Sequence, residues 1–118
     1  MTSSQTPLSD AFDAAVQRLT TDRGEVYGHP LDDFSKVVTI KGAVSSCPHP
    51  LIRHCLEMIG VKMARLAQSP DHLDSVLDIA GYSRCITMIQ DEEKRRAQED
   101  QSRRAEQPRR KSAEIRRR

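Results

Sequence analysis

With 118 residues the chain has room for one domain, and its four aromatic residues with no Trp leave core formation to Leu, Ile, Val, Met and Ala, which favours helix packing. The formal charge of +2 conceals a split: residues 1–90 carry eight Lys/Arg against ten Asp/Glu, and residues 91–118 carry eleven against seven. Basicity therefore belongs to the tail, which excludes high overall charge as evidence for a nucleic-acid-binding body.

The N-terminal stretch MTSSQTPLSD has neither the basic nor the apolar part of a secretion signal, and Cys47, Cys55 and Cys85 are an odd number. Together they lead to the expectation of a reducing, cytoplasmic setting. The longest apolar segment, residues 51–67, is interrupted by Arg53, His54, Glu57, Lys62 and Arg65, so no membrane span is expected.

Residues 1–8 read as a flexible N-terminus. A first helix is expected from Ser9, whose hydroxyl can cap the free amides, to about Thr21, with Phe12, Val16 and Leu19 as its buried stripe. DRGEVYGHP, residues 22–30, reads as a turn in which Gly24, Gly28 and Pro30 stop the helix and hold Arg23 and Tyr27. Such a turn serves either ligand contacts or a connection whose Tyr plugs the core, and both readings stay open.

A second helix is expected over residues 31–44, with Phe34, Val37, Val38 and Val44 inward and Asp32, Asp33, Lys36 and Lys41 outward. After a Pro-bracketed loop, a third helix over residues 51–68 divides into an apolar half (Ile52, Cys55, Leu56, Ile59, Gly60, Met63, Leu66, Ala67) and a polar half (Arg53, His54, Glu57, Lys62, Arg65, Gln68). The fourth helix has a start signal in Ser69 as N-cap, Pro70 at the first helical position and Asp71 in the first turn. Leu73, Val76, Leu77 and Ala80 form its expected core stripe. Asp71, Asp74, Asp78, Gly81 and Cys85 share the other side, where the glycine permits close approach of a backbone or ligand. Past Asp91 the apolar residues end, and a solvated helix is expected to about Gln101, fraying before Pro108. The predicted architecture is all-α: a compact four-helix domain over residues 9–90 with a charged, helical or disordered tail over residues 91–118.

Asp74 and Asp78 are four apart on a helix, a spacing at which two carboxylates can share a hard cation such as Mg²⁺, with Glu57 as a third oxygen ligand. Lys62, Arg65 and Arg23 would then neutralise a nucleotide-like phosphate. The competing reading pairs Asp74 and Asp78 with Lys62 and Arg65 across a helix hairpin as a strut, at about 0–1 kcal/mol per exposed pair. His72 is a candidate proton carrier or a loop-bonding residue. Cys47, His49, His54 and Cys55 lack any C-x₂₋₄-C pair and do not read as a zinc site. In the tail, interleaved acids and the lack of aromatics leave weak nucleic-acid contact as a minor alternative.

These residues carry a resemblance. Arg23, Tyr27, Gly28 and Pro30 spell R-x₃-YG-x-P, followed by Phe34; Lys62, Arg65 and Leu66 spell K-x-x-R-L; His72, Asp74, Ser75, Asp78, Ile79, Ala80, Gly81 and Tyr82 spell H-x-D-S-x-x-D-I-A-G-Y. Over about residues 10–90 the chain resembles a family of small, uncharacterised phage and prophage proteins, which implies a phage origin and action in the host cytoplasm but no particular activity. More distantly the helix pair looks like half of the all-α nucleoside triphosphate pyrophosphohydrolases, the MazG and dimeric dUTPase group, whose acidic helices bind Mg²⁺. That likeness implies a homo-oligomer, although this chain offers only Glu57 on its third helix and D-x-x-x-D on its fourth. The resulting expectation is a phage accessory protein that binds a nucleotide or small phosphorylated ligand, extending to Mg²⁺-dependent hydrolysis. Tyr27 or Tyr82 would pack on the base or sugar, and catalytic residues are unassigned. Its rivals are a binder without chemistry, which sequesters a nucleotide signal or docks on a host protein, and a structural or nucleic-acid-associated protein acting through its tail.

Overall fold

The computed structural model describes residues 7–106 as four helices, α1 (Leu8–Tyr27), α2 (Pro30–Val44), α3 (Pro50–Gln68) and α4 (Leu73–Glu106), with no strand among them. The expected mobility of the extreme N-terminus and the fraying before Pro108 lie largely outside the described residues. The all-α expectation holds; compactness does not. All three other helices pack on α3, α1 also touches α2, and α4 packs on α3 alone. α4 has 34 residues, about 50 Å of helix, against about 28 Å for the 19 of α3. It meets the start of α3 at the His49–Glu93 pair, Nε2 to Oε1 2.8 Å, and residues 94–106 run on beyond it.

Two helix starts, those of α2 and α3, share one mechanism. His29 and His49 each precede a proline at the first helical position, and each imidazole Nδ1 accepts a hydrogen bond from a first-turn amide, Leu31 N at 3.0 Å and Ile52 N at 3.3 Å. Ser69 does not cap α4, because its hydroxyl donates to the carbonyl of Val26 and ties the α3–α4 turn to the last turn of α1. Residues 70 and 71 are a turn, and α4 begins at Leu73. Nor does Ser9 cap α1, which starts after Pro7 without a side-chain bond.

The buried faces are also rotated. In α2 the inward stripe is Asp33, Val37, Ile40 and Val44, while Phe34 is 57% and Val38 68% exposed. Gly60 admits this register: a Cβ there would collide with Cγ2 of Ile40, so the Ile40 side chain packs directly on the α3 backbone. In α4, Ser75 is fully buried and Ile79, Tyr82, Ile86 and Ile89 are half-buried, whereas Leu73, Val76 and Leu77 are exposed. Of the expected acidic side only Asp78 reaches α3, where its Oδ2 pairs with Lys62 Nζ at 2.8 Å, while Asp71, Asp74, Gly81 and Cys85 are exposed like the apolar stripe. Gly81 meets nothing within 4 Å of a notional Cβ, so among the described residues no backbone uses its small size. Phe12 and Leu19 on α1 are exposed as well, and α1 has no buried residue.

Candidate functional site at the end of α1

α1 does not stop at Gly24 but runs to Tyr27, where Gly28, with φ of 80° and ψ of −171°, ends it. Arg23 and Tyr27 are therefore one turn apart on a helix, not in a loop, and their side chains share a face. The guanidinium carbon of Arg23 lies 5.0 Å from the Tyr27 ring centroid. Arg65, in the last turn of α3, places its own at 4.5 Å, and the His72 ring meets the Tyr27 ring edge-on at 5.7 Å. The Ser69–Val26 bond holds the α3–α4 turn against this end of α1, which is how three distant segments meet.

Two guanidiniums around one phenol ring gain about 0.5–2 kcal/mol each from the ring's electron-rich face, yet that contact satisfies none of their N–H groups. Among the described residues neither Arg23 nor Arg65 forms an ion pair, and Arg65 Nε is buried without a hydrogen-bond partner. The carbonyl end of α1 offsets part of the positive charge. What remains is a cationic, aromatic-backed site suited to a planar or tetrahedral oxyanion. His72 Nδ1 is occupied by Ser75 Oγ at 2.6 Å, which orients the ring toward Tyr27.

The other predicted site residues fall elsewhere. Lys62, with its side chain 12% exposed, is committed to Asp78, as the strut reading expects for that pair; Arg65, three residues on, goes to Tyr27 instead. Asp74 lies exposed in the first turn of α4, and Glu57 is half-buried on α3. Among the described residues no three His, Cys, Asp or Glu side chains come together as a metal-holding group. The donor set of Asp74, Asp78 and Glu57 therefore does not fit Mg²⁺ as it stands, since its best-placed carboxylate is already paired. Tyr82 is half-buried on α4, about 13 Å along the helix from Leu73, and apart from the Tyr27 cluster.

One residue escaped the sequence reading. Asp33, assigned outward, is only 6% exposed, and its Oδ1 is buried without a partner. It lines a cavity of about 190 Å³ that also has Arg23, Tyr27 and Phe34 in its walls. The signal was available: Asp33 shares the 4–3–4 spacing of Val37, Ile40 and Val44, and a carboxylate in register with an apolar stripe is buried.

Fold and site together define a class: an all-α protein organised on one hub helix, with an arginine-flanked tyrosine where the first helix ends. Within that class, residues 10–90 match the model of the Domain of unknown function (DUF6378), and the chain belongs to that family. It is similar to the Gene 55 protein of Mycobacterium phage D29, 30% identical over 86 residues, which cover 72% of this chain and 57% of that protein. The chain thus spans little more than half the length of this phage relative. No solved structure matches. No helix among the described residues is long and apolar enough to cross a membrane.

Proposed function

We propose that the protein is a phage accessory factor that binds the phosphate of a nucleotide or nucleotide-like ligand between Arg23 and Arg65, with Tyr27 behind it. The observation that carries this reading is the pair of guanidiniums on one ring with no carboxylate partner among the described residues, one of them with a buried, unbonded Nε. A buried N–H without an acceptor is uncommon in a protein and is accounted for by an anion that supplies one. Kinship with a mycobacteriophage protein fits an accessory role in the cytoplasm of an infected host.

The reading stops at binding: capture without turnover is favoured over hydrolysis, because Asp78 is held by Lys62. Along α4, Arg95, Arg96, Arg103 and Arg104 are paired with Glu92, Glu99 or Asp100, whereas the basic clusters at 109–111 and 116–118, on which action through the tail would rest, lie outside the described residues.

The test is calorimetric titration with nucleoside monophosphates, nucleoside triphosphates and ribose 5-phosphate, with and without Mg²⁺, while mass spectrometry follows any conversion. Binding is expected without Mg²⁺ and without product. Arg65→Met is expected to weaken it by about 1.5–3 kcal/mol, the scale of a charge-assisted hydrogen bond. Undiminished affinity in Arg65→Met, or no phosphate ligand bound at all, would refute the reading.

A further inference from the structure

Asp33 is outside the phosphate site proposed above, yet it lines a cavity that Tyr27 and Arg23 also wall. Its Oδ1 has no donor, and the cavity beside it is walled by Tyr27, Pro30 and Phe34, with Thr20 and Arg23 completing the rim. Gly24 and Gly28 form the remaining wall and add no side chain to fill the space. The fold thus keeps a carboxylate at more than nine-tenths burial, in a space with flat apolar walls, next to a guanidinium that does not pair with it. Burial without a partner is costly, and a ligand that donates to the carboxylate removes the cost. The volume, about 190 Å³, is below that of a cleft for a drug-sized molecule and suits one ring system.

We propose, resting on the phosphate reading of Arg23 and Arg65, that this cavity takes the base of the bound nucleotide and that Asp33 selects guanine. A carboxylate only accepts hydrogen bonds. Guanine presents N1–H and the N2 amino group side by side, two donors that match the two oxygens of one carboxylate. Adenine and cytosine offer one donor beside an acceptor, and uracil one donor between two acceptors, so each would set a lone pair against the carboxylate. Tyr27 and Phe34 supply flat apolar walls for a purine ring. A ribose diol is also a pair of adjacent donors, but the apolar walls favour a planar ring over a hydroxylated one.

The experiment is calorimetric titration of the full chain, wild type and Asp33→Asn, with GMP, dGMP, IMP, AMP and ribose 5-phosphate. GMP is expected to bind roughly tenfold or more tighter than AMP, with IMP between them because it lacks the N2 amino group, and dGMP equal to GMP. Asp33→Asn, nearly the same shape, is expected to lose roughly tenfold for GMP and to leave ribose 5-phosphate unchanged. Equal binding of GMP and AMP, with dGMP weaker than GMP, would assign the carboxylate to the sugar and overturn guanine selection. Equal binding of all five ligands, with no effect of Asp33→Asn, would overturn it while phosphate binding stands. Failure of every ligand, ribose 5-phosphate included, would overturn both.

Discussion

Gly24 and Gly28 lie one helical turn apart, and only one of them has to be glycine. Gly28 combines φ of 80° with nearly extended ψ, a region essentially closed to other residues, and a Cβ there would sit 3.1 Å from the Gln68 side chain. Gly28→Ala is expected to lower stability by about 1–3 kcal/mol. Gly24 sits inside α1 with nothing within 4 Å of a notional Cβ, so Gly24→Ala is expected to raise stability by about 0.5–1 kcal/mol. Urea denaturation of the two variants checks both signs; a stabilising Gly28→Ala would mean that the turn between α1 and α2 is not built as described. The sequence reading treated both glycines as stops, since composition does not distinguish a tolerated helical glycine from a required terminal one. At this scale the site was half legible. Arg23, Tyr27, Arg65 and His72 were identified as ligand candidates and do come together. Lys62 and Asp78 were identified too, but which cation pairs with which acid depends on how α4 is rotated on α3, and that is set by tertiary packing.

At the scale of elements, α4 shows how a helix survives without neighbours. Beyond Glu93 its ion pairs are all internal, at spacings of three and four, the arrangement that supports an isolated helix. Glu92 is shared by two of the arginines. Hydrogen bonds from Arg95 first, and from Arg96, hold its carboxyl well below the usual carboxylate value, from 4.5 down to about 2, and Glu92 in turn raises Arg95. A carboxyl whose folded-state pKa is depressed favours the helix above its unfolded value and loses that contribution as protons bind. Helicity read by circular dichroism is therefore expected to hold above about pH 4.5 and to fall as the pH drops toward 2. Because the pairs are exposed, the loss should be shallower at an ionic strength of about 1 M, where charges are screened beyond about 3 Å. A helix signal flat across that window in low salt would show that these pairs do not support α4. The existence of all four helices was legible in the apolar spacing and the prolines. Their starts were less so, because His29 and His49 are unusual caps, and Ser69 has a cap's chemistry but spends its hydroxyl on Val26.

The whole molecule has a hub but little core. Among the described residues the only buried apolar side chains are Cys55 and Ala64, while Leu8, Phe12 and Leu19 of α1, Phe34 and Val38 of α2, and Leu73, Val76 and Leu77 of α4 are exposed. Phe12 and Leu19, Phe34 and Val38, and Leu73, Val76 and Leu77 are positions that helical spacing assigns to the core, and their exposure among the described residues corrects that assignment. Helical spacing marks a face as apolar but does not say what covers it, and among the described residues nothing covers these. A stable domain of this size buries most of its apolar surface, and large exposed apolar stripes are rare on monomers. A second copy would supply the same stripes in return, and covering each Leu, Val or Phe would add about 1.5–3 kcal/mol. The protein is therefore expected to be a homo-oligomer whose interface includes the Leu73–Val76–Leu77 face of α4. Sedimentation equilibrium should give at least twice the 13.3 kDa of one chain, with a melting temperature that rises with concentration. Leu77→Asp, remote from Tyr27 and Asp33, should shift the protein toward monomer and lower the melting temperature, because a charge on the stripe opposes its burial. A wild-type chain that sediments as a monomer and melts at one temperature across concentrations would sink the expectation, and would require the exposed stripes to be covered by a different protein.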